Sequence, residues 1–383
     1  MNRVVVIGGG VVGASAAYHL ARDGIETVLI DRRDAGQATA AGAGIIAPGT
    51  SQRPLPAFYP FAAVAVRHYP ELIASLAEAG QTATGYAVVG ELILAFDDEQ
   101  AEKLGTLLPL FRTRFEEGMP NLGEVTMIDD AAARAMFPPL GTIVAGIHVP
   151  EAARVDGDFL RTSLVAGAKH FGARIVNASA RLLMDRDAVA GVKLAGEAIA
   201  ADAVIVATGA WTNRLLEPLG LSLAVEPQRG QILHLSMPGV DTSPWPILGG
   251  FSDQYMLTFG PNRIVAGATR EHGSGFDVRM TAGGVKSVVD QALKVAPGLA
   301  VATVDEVRVG LRPLSADGLP FLGAAPGFEN VIIATGHGPT GLQLGPYSGL
   351  VAAQLVLSRA VEADLGPFAV DRPIAGCTVK GTL

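Results

Sequence analysis

Short apolar runs that end on glycine, rather than long amphipathic repeats, dominate the first and last thirds of the chain. Arg3–Ile7 (RVVVI) and Glu26–Ile30 (ETVLI) each read as a strand buried on both faces, and the GGGVVGASAAYHLARDG between them turns at once into a helix. A strand, helix and strand in that order form a βαβ unit, which feeds a parallel sheet through a right-handed crossover. Residues 203–207 (AVIVA) and 330–334 (NVIIA) repeat the buried-strand design, each followed by Thr-Gly. Residues 159–171 predict a helix ahead of a strand at 173–177, and 342–357 predict a last helix. Between these pieces the texture changes. Residues 86–96 (YAVVGELILAF), 230–236 (GQILHLS) and 254–266 predict longer strands of a sheet with one covered face, with Asn262 closing a hairpin inside the last of them. Residues 281–296 predict a helix that ends at Pro297-Gly298. The expected class is α/β with two discontinuous domains. One, from 1–85, 148–222 and 306–383, is Rossmann-like with a parallel sheet; the other, from 86–147 and 223–305, has a largely antiparallel sheet.

Composition narrows the function more than the fold. A chain of 383 residues exceeds one small core, and 49% hydrophobic content with only 17% charged residues fits a soluble globular protein. A net charge of −8 argues against a nucleic-acid partner, since no Lys/Arg block is present to neutralise phosphates. The single cysteine, Cys377, excludes an internal disulfide framework and any multi-cysteine metal or iron–sulfur site; no metal site is expected, and the compartment is consistent with cytoplasm. Residues 1–21 contain an apolar run, but regularly spaced glycines and the lack of a cleavage-site pattern favour strand, turn and helix over a signal peptide. No run of about 18 apolar residues predicts a membrane span. Residues 55–66 (LPAFYPFAAVAV) read as a buried loop and helix start, with peripheral membrane contact as the alternative. Acidic, soluble enzymes of this size are often homo-oligomers.

The opening carries the first chemical signal. Gly8, Gly10 and Gly13 form G-x-G-x-x-G directly after a strand and at a helix start. In that motif the first glycine permits the tight turn, the second lets backbone approach a pyrophosphate, and the third allows helix and strand to pack closely. The helix start, Val11 and Val12 included, offers free N–H groups to phosphates. Asp31 closes the second strand, ahead of Arg32, where a carboxylate accepts from ribose hydroxyls. NAD and FAD share this fingerprint, so the choice rests on other segments. The small-residue run at 39–48 (TAAGAGIIAP), with Thr39, Ala40 and Gly44, suits backbone passing close to a flat ring. Ala207-Thr208-Gly209 offers a second pass against the dinucleotide. Gly336-His337-Gly338-Pro339-Thr340-Gly341 opens the last helix, whose positive end suits the pyrimidine edge of a flavin.

These segments, together with ATGAW, Pro227-Gln228-Arg229-Gly230-Gln231 and GLRPLSADGLPFLG followed by ATGHGPTGLQLGP, resemble the D-amino acid oxidase family. Within it the chain is similar to glycine oxidases and the shorter bacterial D-amino acid dehydrogenases. The resemblance runs in order along nearly the whole chain and is weakest at 91–145. It implies non-covalent FAD in the parallel-sheet domain, with Ala180 and Trp211 added to the cofactor contacts, and a substrate domain whose antiparallel sheet covers the flavin. In some related branches a cysteine holds the flavin, but Cys377 lies beyond every family motif.

The reaction so implied oxidises the C–N bond of a D-amino acid, glycine or a secondary amino acid. Hydride moves to flavin N5, the imine hydrolyses to the oxo acid, and oxygen or a quinone-type carrier takes the electrons. Such chemistry needs orientation more than a protein base. Arg312, in GLRP, matches the family arginine that clamps the substrate carboxylate; a surface arginine at a strand end is the plain alternative. Tyr255 falls where glycine oxidases place a substrate-side tyrosine, or it only packs. The resemblance gives Ile45 a shaping role near the flavin and puts His337 in the flavin loop. His272, Arg270 and Glu271 either line the entrance or form a solvated turn. Two rivals stand beside this reading: a flavin-dependent 2-hydroxy-acid dehydrogenase, in which His337 or His272 is an essential base, and a nicotinamide-linked dehydrogenase or nucleotide-binding protein without turnover.

Overall fold

The computed structural model describes residues 2–186, 188–250 and 254–374. Arg3–Ile7 lies inside a six-stranded sheet, parallel to Glu26–Ile30 on one side and to Ala203–Val206 on the other. Arg174–Val176 and Phe328–Thr335 continue the parallel order outward, and the edge strand Phe321–Ala325 is antiparallel. The wholly apolar first strand follows from burial on both faces. Val4 and Val6 join the core that contains Tyr18, Leu20 and Leu344, from helices Val11–Arg22 and Gly341–Val356. Val5 and Ile7 join Leu182, Val192 and Leu216 on the opposite face. Each such burial contributes about 1.5–3 kcal/mol.

Helix Phe58–Glu78 resolves the 55–66 segment. Phe58, Phe61, Ala62, Ala65 and Val66 are buried, and the Phe61 ring lies 5.4 Å from Tyr347 and 4.6 Å from Phe368. The apolar side chains expected here serve the core, which leaves little apolar surface for the membrane alternative. No helix among the described residues is long and apolar enough to cross a membrane.

The second large sheet has eight strands, in the order Thr303–Ser315, Val225–Ser236, Arg263–Gly267, Tyr255–Phe259, Ile247–Gly250, Glu91–Ala95, Ala145–Val149 and Thr126–Ile128. Its pairings are antiparallel except between Ile247–Gly250 and Glu91–Ala95. Two expectations are corrected here. Residues 86–96 do not form one strand: Gly90, at φ +77, breaks the run into Ala87–Val88, in a small separate sheet, and Glu91–Ala95. Nor is only one face covered. Leu104, Leu107 and Phe111 of helix Asp98–Glu116 pack on one side, and Val288 and Ala292 of helix Ala282–Val295 on the other. The latter helix begins where expected, with the Thr281 side chain accepting from the Gly284 N–H.

Thr303–Ser315 couples the two sheets. It pairs with Val225–Ser236, setting Arg312 opposite Gln228 and Gly310 opposite Gly230. It also reaches loops of the parallel sheet, with the Leu311 N–H donating to Gly36 O at 2.9 Å and a bridge between Leu314 and His337.

Glu91 opens its strand buried, with the Thr50 hydroxyl its donor among the described residues, at 2.8 Å, and burial raises its pKa to about 7. The folded state therefore holds a proton that the unfolded chain releases near pH 4.5, and this contribution to stability is lost as pH rises from there through 7. Glu91→Gln is expected to match wild type near pH 4.5 and to exceed it at pH 8 by on the order of 3 kcal/mol, read from denaturant melts.

Candidate active site

The turn after the first strand is built on close backbone approach. Gly8 has φ +102, and a Cβ there would lie 2.3 Å from the carbonyl oxygen of Ala207. A Cβ on Gly13 would lie 1.8 Å from the oxygen of Gly8. The helix start is thereby pressed onto the strand end, and Thr39 Oγ1 accepts the Val11 N–H at 3.0 Å from the small-residue loop. Gly8, Gly10, Val11 and Val12 line a cavity of about 610 Å³. Asp31 lines it too, held by three donors: the Arg33 N–H at 3.0 Å, Gln37 Nε2 at 3.1 Å and Arg161 Nη2 at 3.4 Å. Arg161 also donates to Gly9 O at 2.6 Å, so it ties the carboxylate to the glycine turn.

A second helix start reaches the same cavity. Gly338 and Pro339, in the turn Gly338–Thr340, and Gly341 and Leu342, at the head of Gly341–Val356, all form part of its wall. This helix is seated on the first: Ser15 Oγ donates to Pro346 O at 2.6 Å, and a Cβ on Gly349 would lie 2.4 Å from Val12 O. Free amides and the positive dipole end of each helix therefore serve one cavity. His337 is buried against this helix, its Nε2 2.9 Å from Ser348 Oγ, and burial lowers its pKa to about 4.

The eight-stranded sheet supplies the other end of the wall. Arg312 Nη1 donates to Thr269 O at 3.0 Å and contacts Gln228 Oε1 at 3.4 Å, and Arg312 lies within electrostatic reach of the Tyr255 hydroxyl. Burial raises the Tyr255 hydroxyl pKa, with Arg312 pulling against it, and burial lowers that of the Arg312 guanidinium. No carboxylate of the described residues pairs with Arg312, although an arginine stays charged when half-buried. Gly230 lies directly under it: a Cβ there would fall 2.5 Å from Arg312 Nη1. Gly230→Ala is expected to displace the guanidinium and raise KM for substrate by about tenfold or more, the worth of one weakened charge-assisted bond, with FAD content unchanged. Steady-state kinetics and the visible spectrum check the two halves.

The remaining predicted positions fall into two groups. Arg32, Thr39, Gly44, Ile45, Ala180, Ala207, Thr208, Gly209, Trp211 and His337 share the cavity wall with those already named. Gly13, Ala40, Gly336 and Thr340 stand behind it. Gly13 packs against the turn, Ala40 O accepts from Arg308 at 3.0 Å, Gly336 lies against Phe321 and Ser315, and Thr340 Oγ1 donates to His337 O at 2.8 Å. The segment after the hairpin divides. Arg270 lines the cavity. Glu271 is bound by Arg229 at 2.6 Å, Gln231 at 2.6 Å and Thr269 at 2.7 Å, and His272 by Gln228 at 2.9 Å. Gln37 and Arg161 were not anticipated. Gln37 lies close to Asp31 in sequence, but nothing near Arg161 marks it. Cys377 lies outside the described residues.

One cavity served by two helix starts suits a cofactor with a pyrophosphate and a ring that gains negative charge on reduction. The glycine approaches, the donor-held Asp31 and the second positive helix end fit FAD, and they define a flavin-dependent oxidoreductase. The chain belongs to the DAO family of FAD dependent oxidoreductases, whose model matches residues 3–355. It is 41% identical to the uncharacterized oxidoreductase YurR of Bacillus subtilis, covering 96% of this chain and 98% of that one. It is 33% identical to a glycine oxidase of Pseudomonas aeruginosa over the same shares of the two chains. Among solved structures, the iminodiacetate oxidase IdaA of Chelativorans sp. BNC1 superposes with a TM-score of 0.92 at 40% identity, covering 96% of this chain and 99% of that one. Glycine oxidase of Geobacillus kaustophilus superposes at 0.85 with 28% identity, covering 98% and 100%.

Proposed function

We propose that this protein oxidises the C–N bond of a small amino acid (glycine, a D-amino acid or a secondary amino acid) to an imine that hydrolyses to the oxo acid. The observation that carries this is Arg312: a half-buried guanidinium on the cavity wall, held by the carbonyl of Thr269 and matched by no carboxylate among the described residues. A cation kept only for stability is normally paired, because an uncompensated buried charge costs several kcal/mol. A substrate carboxylate supplies that partner. Similarity to glycine and iminodiacetate oxidases supports an amine rather than an alcohol as the reacting group.

The residues divide the work. Val12 and the Gly338–Leu342 turn bind phosphate and ring through backbone N–H groups, Val11, its own N–H held by Thr39, shapes the turn beside them, and Asp31 accepts from ribose. Arg312 holds the substrate carboxylate, Tyr255 fixes the guanidinium plane, and Ile45 limits the space on the ring side. When bound, FAD supplies the two-electron acceptor for the C–N bond. The substrate amine in its neutral form needs no side-chain base. His337 is not disposed to be one, since its Nε2 faces Ser348, and His272 is engaged by Gln228. The hydroxy-acid reading therefore lacks its essential base, and the nicotinamide reading does not agree with the family.

The proposal assigns 1–85, 148–222 and 306–383 to the FAD domain and 86–147 and 223–305 to the substrate domain, with strand Thr303–Ser315 running across the boundary. Turnover closes with an external electron acceptor, dioxygen or a quinone-type carrier. The proposed setting is the cytoplasm, with which a chain that holds one cysteine is consistent. FAD is held without a covalent bond. Denaturation is expected to release all the flavin into the supernatant, and colour retained on the pellet contradicts this. The function itself is tested by assaying FAD-loaded protein for oxo acid formed from the amino acid; protein that stays colourless after reconstitution overturns it.

A further inference from the structure

Several polar side chains on the cavity wall are engaged by the protein itself. Gln37 donates to Asp31, Thr39 accepts the Val11 N–H, Thr335 donates to Gly209 O, and His337 meets Ser348. Gln343 is different. It lines the same cavity at 8% exposure, and its Nε2 is enclosed with no acceptor among the described residues. A buried donor left unpaired is costly, and a leucine would fill the same space without that cost. Packing therefore does not account for an amide at this position, whereas an acceptor brought by a ligand does.

The place of the residue says which ligand. Gln343 is the third residue of helix Gly341–Val356. Side chains lean back toward the N-terminus of their helix, so its amide stands over the end where the first-turn N–H groups also lack partners within the helix. Gly338, Pro339, Gly341 and Leu342 bring that end to the cavity, whereas Arg312 and Tyr255 enter from the eight-stranded sheet. The last torsion of a glutamine is soft, which lets the NH2 turn to meet an acceptor in the cavity. We propose that the Gln343 side-chain amide donates a hydrogen bond to a carbonyl oxygen on the pyrimidine edge of the bound flavin, beside the N–H groups of its own helix, and so favours the reduced, negatively charged ring. This rests on the FAD-dependent amine oxidation proposed above. A donor binds an anion more strongly than a neutral acceptor, so the contact tightens as the ring gains electrons and raises its reduction potential.

The test is a redox titration of the full FAD-loaded chain, wild type against Gln343→Leu and Gln343→Lys, with the visible spectrum of the oxidised flavin recorded alongside. Leucine keeps the bulk and removes the donor. It should weaken the binding of reduced relative to oxidised flavin about 10- to 100-fold, which lowers the midpoint potential by about 30–60 mV for a two-electron couple, and it should shift the flavin bands. Lysine restores a donor and should return the potential to the wild-type value or above it. A potential and spectrum unchanged by both substitutions overturn the assignment. So does a change confined to the affinity for acetate, a substrate-like carboxylate, which would place Gln343 on the substrate instead; in both cases amine oxidation stands. A flavin whose potential follows Gln343 but which no amino acid reduces supports the contact and overturns the amine reading. If the leucine variant does not retain FAD, dissociation constants for FAD decide. Binding weakened by leucine and restored by lysine supports the contact, and binding weakened alike by both overturns it.

Discussion

Arg312→Met is expected to lower kcat/KM for the amino acid substrate by about 10²- to 10⁴-fold, the equivalent of two charge-assisted hydrogen bonds of roughly 1.5–3 kcal/mol each. The guanidinium has the fork geometry for two parallel bonds to a carboxylate, and among the described residues its hydrogen bonds go to Thr269 O and Gln228. Methionine keeps much of the length and apolar contact of the side chain, so FAD content and thermal stability should hold close to wild type. Arg312→Lys should recover only part of the loss, because a point charge does not reproduce the planar pair. A loss confined to KM assigns Arg312 to binding alone; a loss shared with kcat assigns it to orienting the reacting carbon as well. Unchanged kinetics in both variants would remove Arg312 from the site.

Gly13→Val should abolish FAD retention. A Cβ at this position meets the Gly8 carbonyl at 1.8 Å and the Ala207 Cβ at 3.2 Å, both on segments that form the turn. Neither is the flexible end of a side chain, so the helix Val11–Arg22 must move away from the strand. Overpacking of this kind costs about 1–3 kcal/mol of stability, and it also dislocates the N–H groups that face the pyrophosphate. The expected protein is folded, less stable and colourless as purified, with FAD affinity reduced at least about 10²-fold, measured by fluorescence quenching on titration. Valine at Gly24, where an added Cβ meets nothing within 4 Å, is the control for a glycine change on the same helix–strand unit. Its φ of +77 makes it costly in backbone strain but not in cofactor binding.

The parallel sheet was legible because its strands are buried on both faces. Val4 and Val6 have one core and Val5 and Ile7 another, so the sequence is apolar without alternation. The glycine spacing added the helix start, and Asp31 the strand end. The antiparallel sheet was less legible. Two apolar layers hid its alternation, and Gly90 ended a strand inside a run that looked continuous. The three-stranded sheet of Ile45–Ile46, Ala87–Val88 and Ala153–Arg154 has no readable period, since two residues show none. At the site, Arg312 was singled out through the resemblance of GLRP rather than through any property of the residue. Arg161 was beyond reach, because its bonds to Gly9 and Asp31 arise only once helix Gly157–His170 packs beside the first helix. Arg270 could be placed at the entrance or in a solvated turn, and its neighbour Glu271 shows why: adjacent side chains there serve different structures.

Amine oxidation by a bound flavin is tested most directly by an anaerobic visible spectrum of the purified protein during titration with glycine, proline, paired D- and L-amino acids and iminodiacetate. Bleaching of the flavin band by at least one of them, with the matching oxo acid recovered, is the predicted result. Admission of air then separates the acceptors, since rapid return of colour marks an oxidase. A bound flavin that stays yellow with every amino acid and bleaches with a 2-hydroxy acid would contradict the proposed reaction.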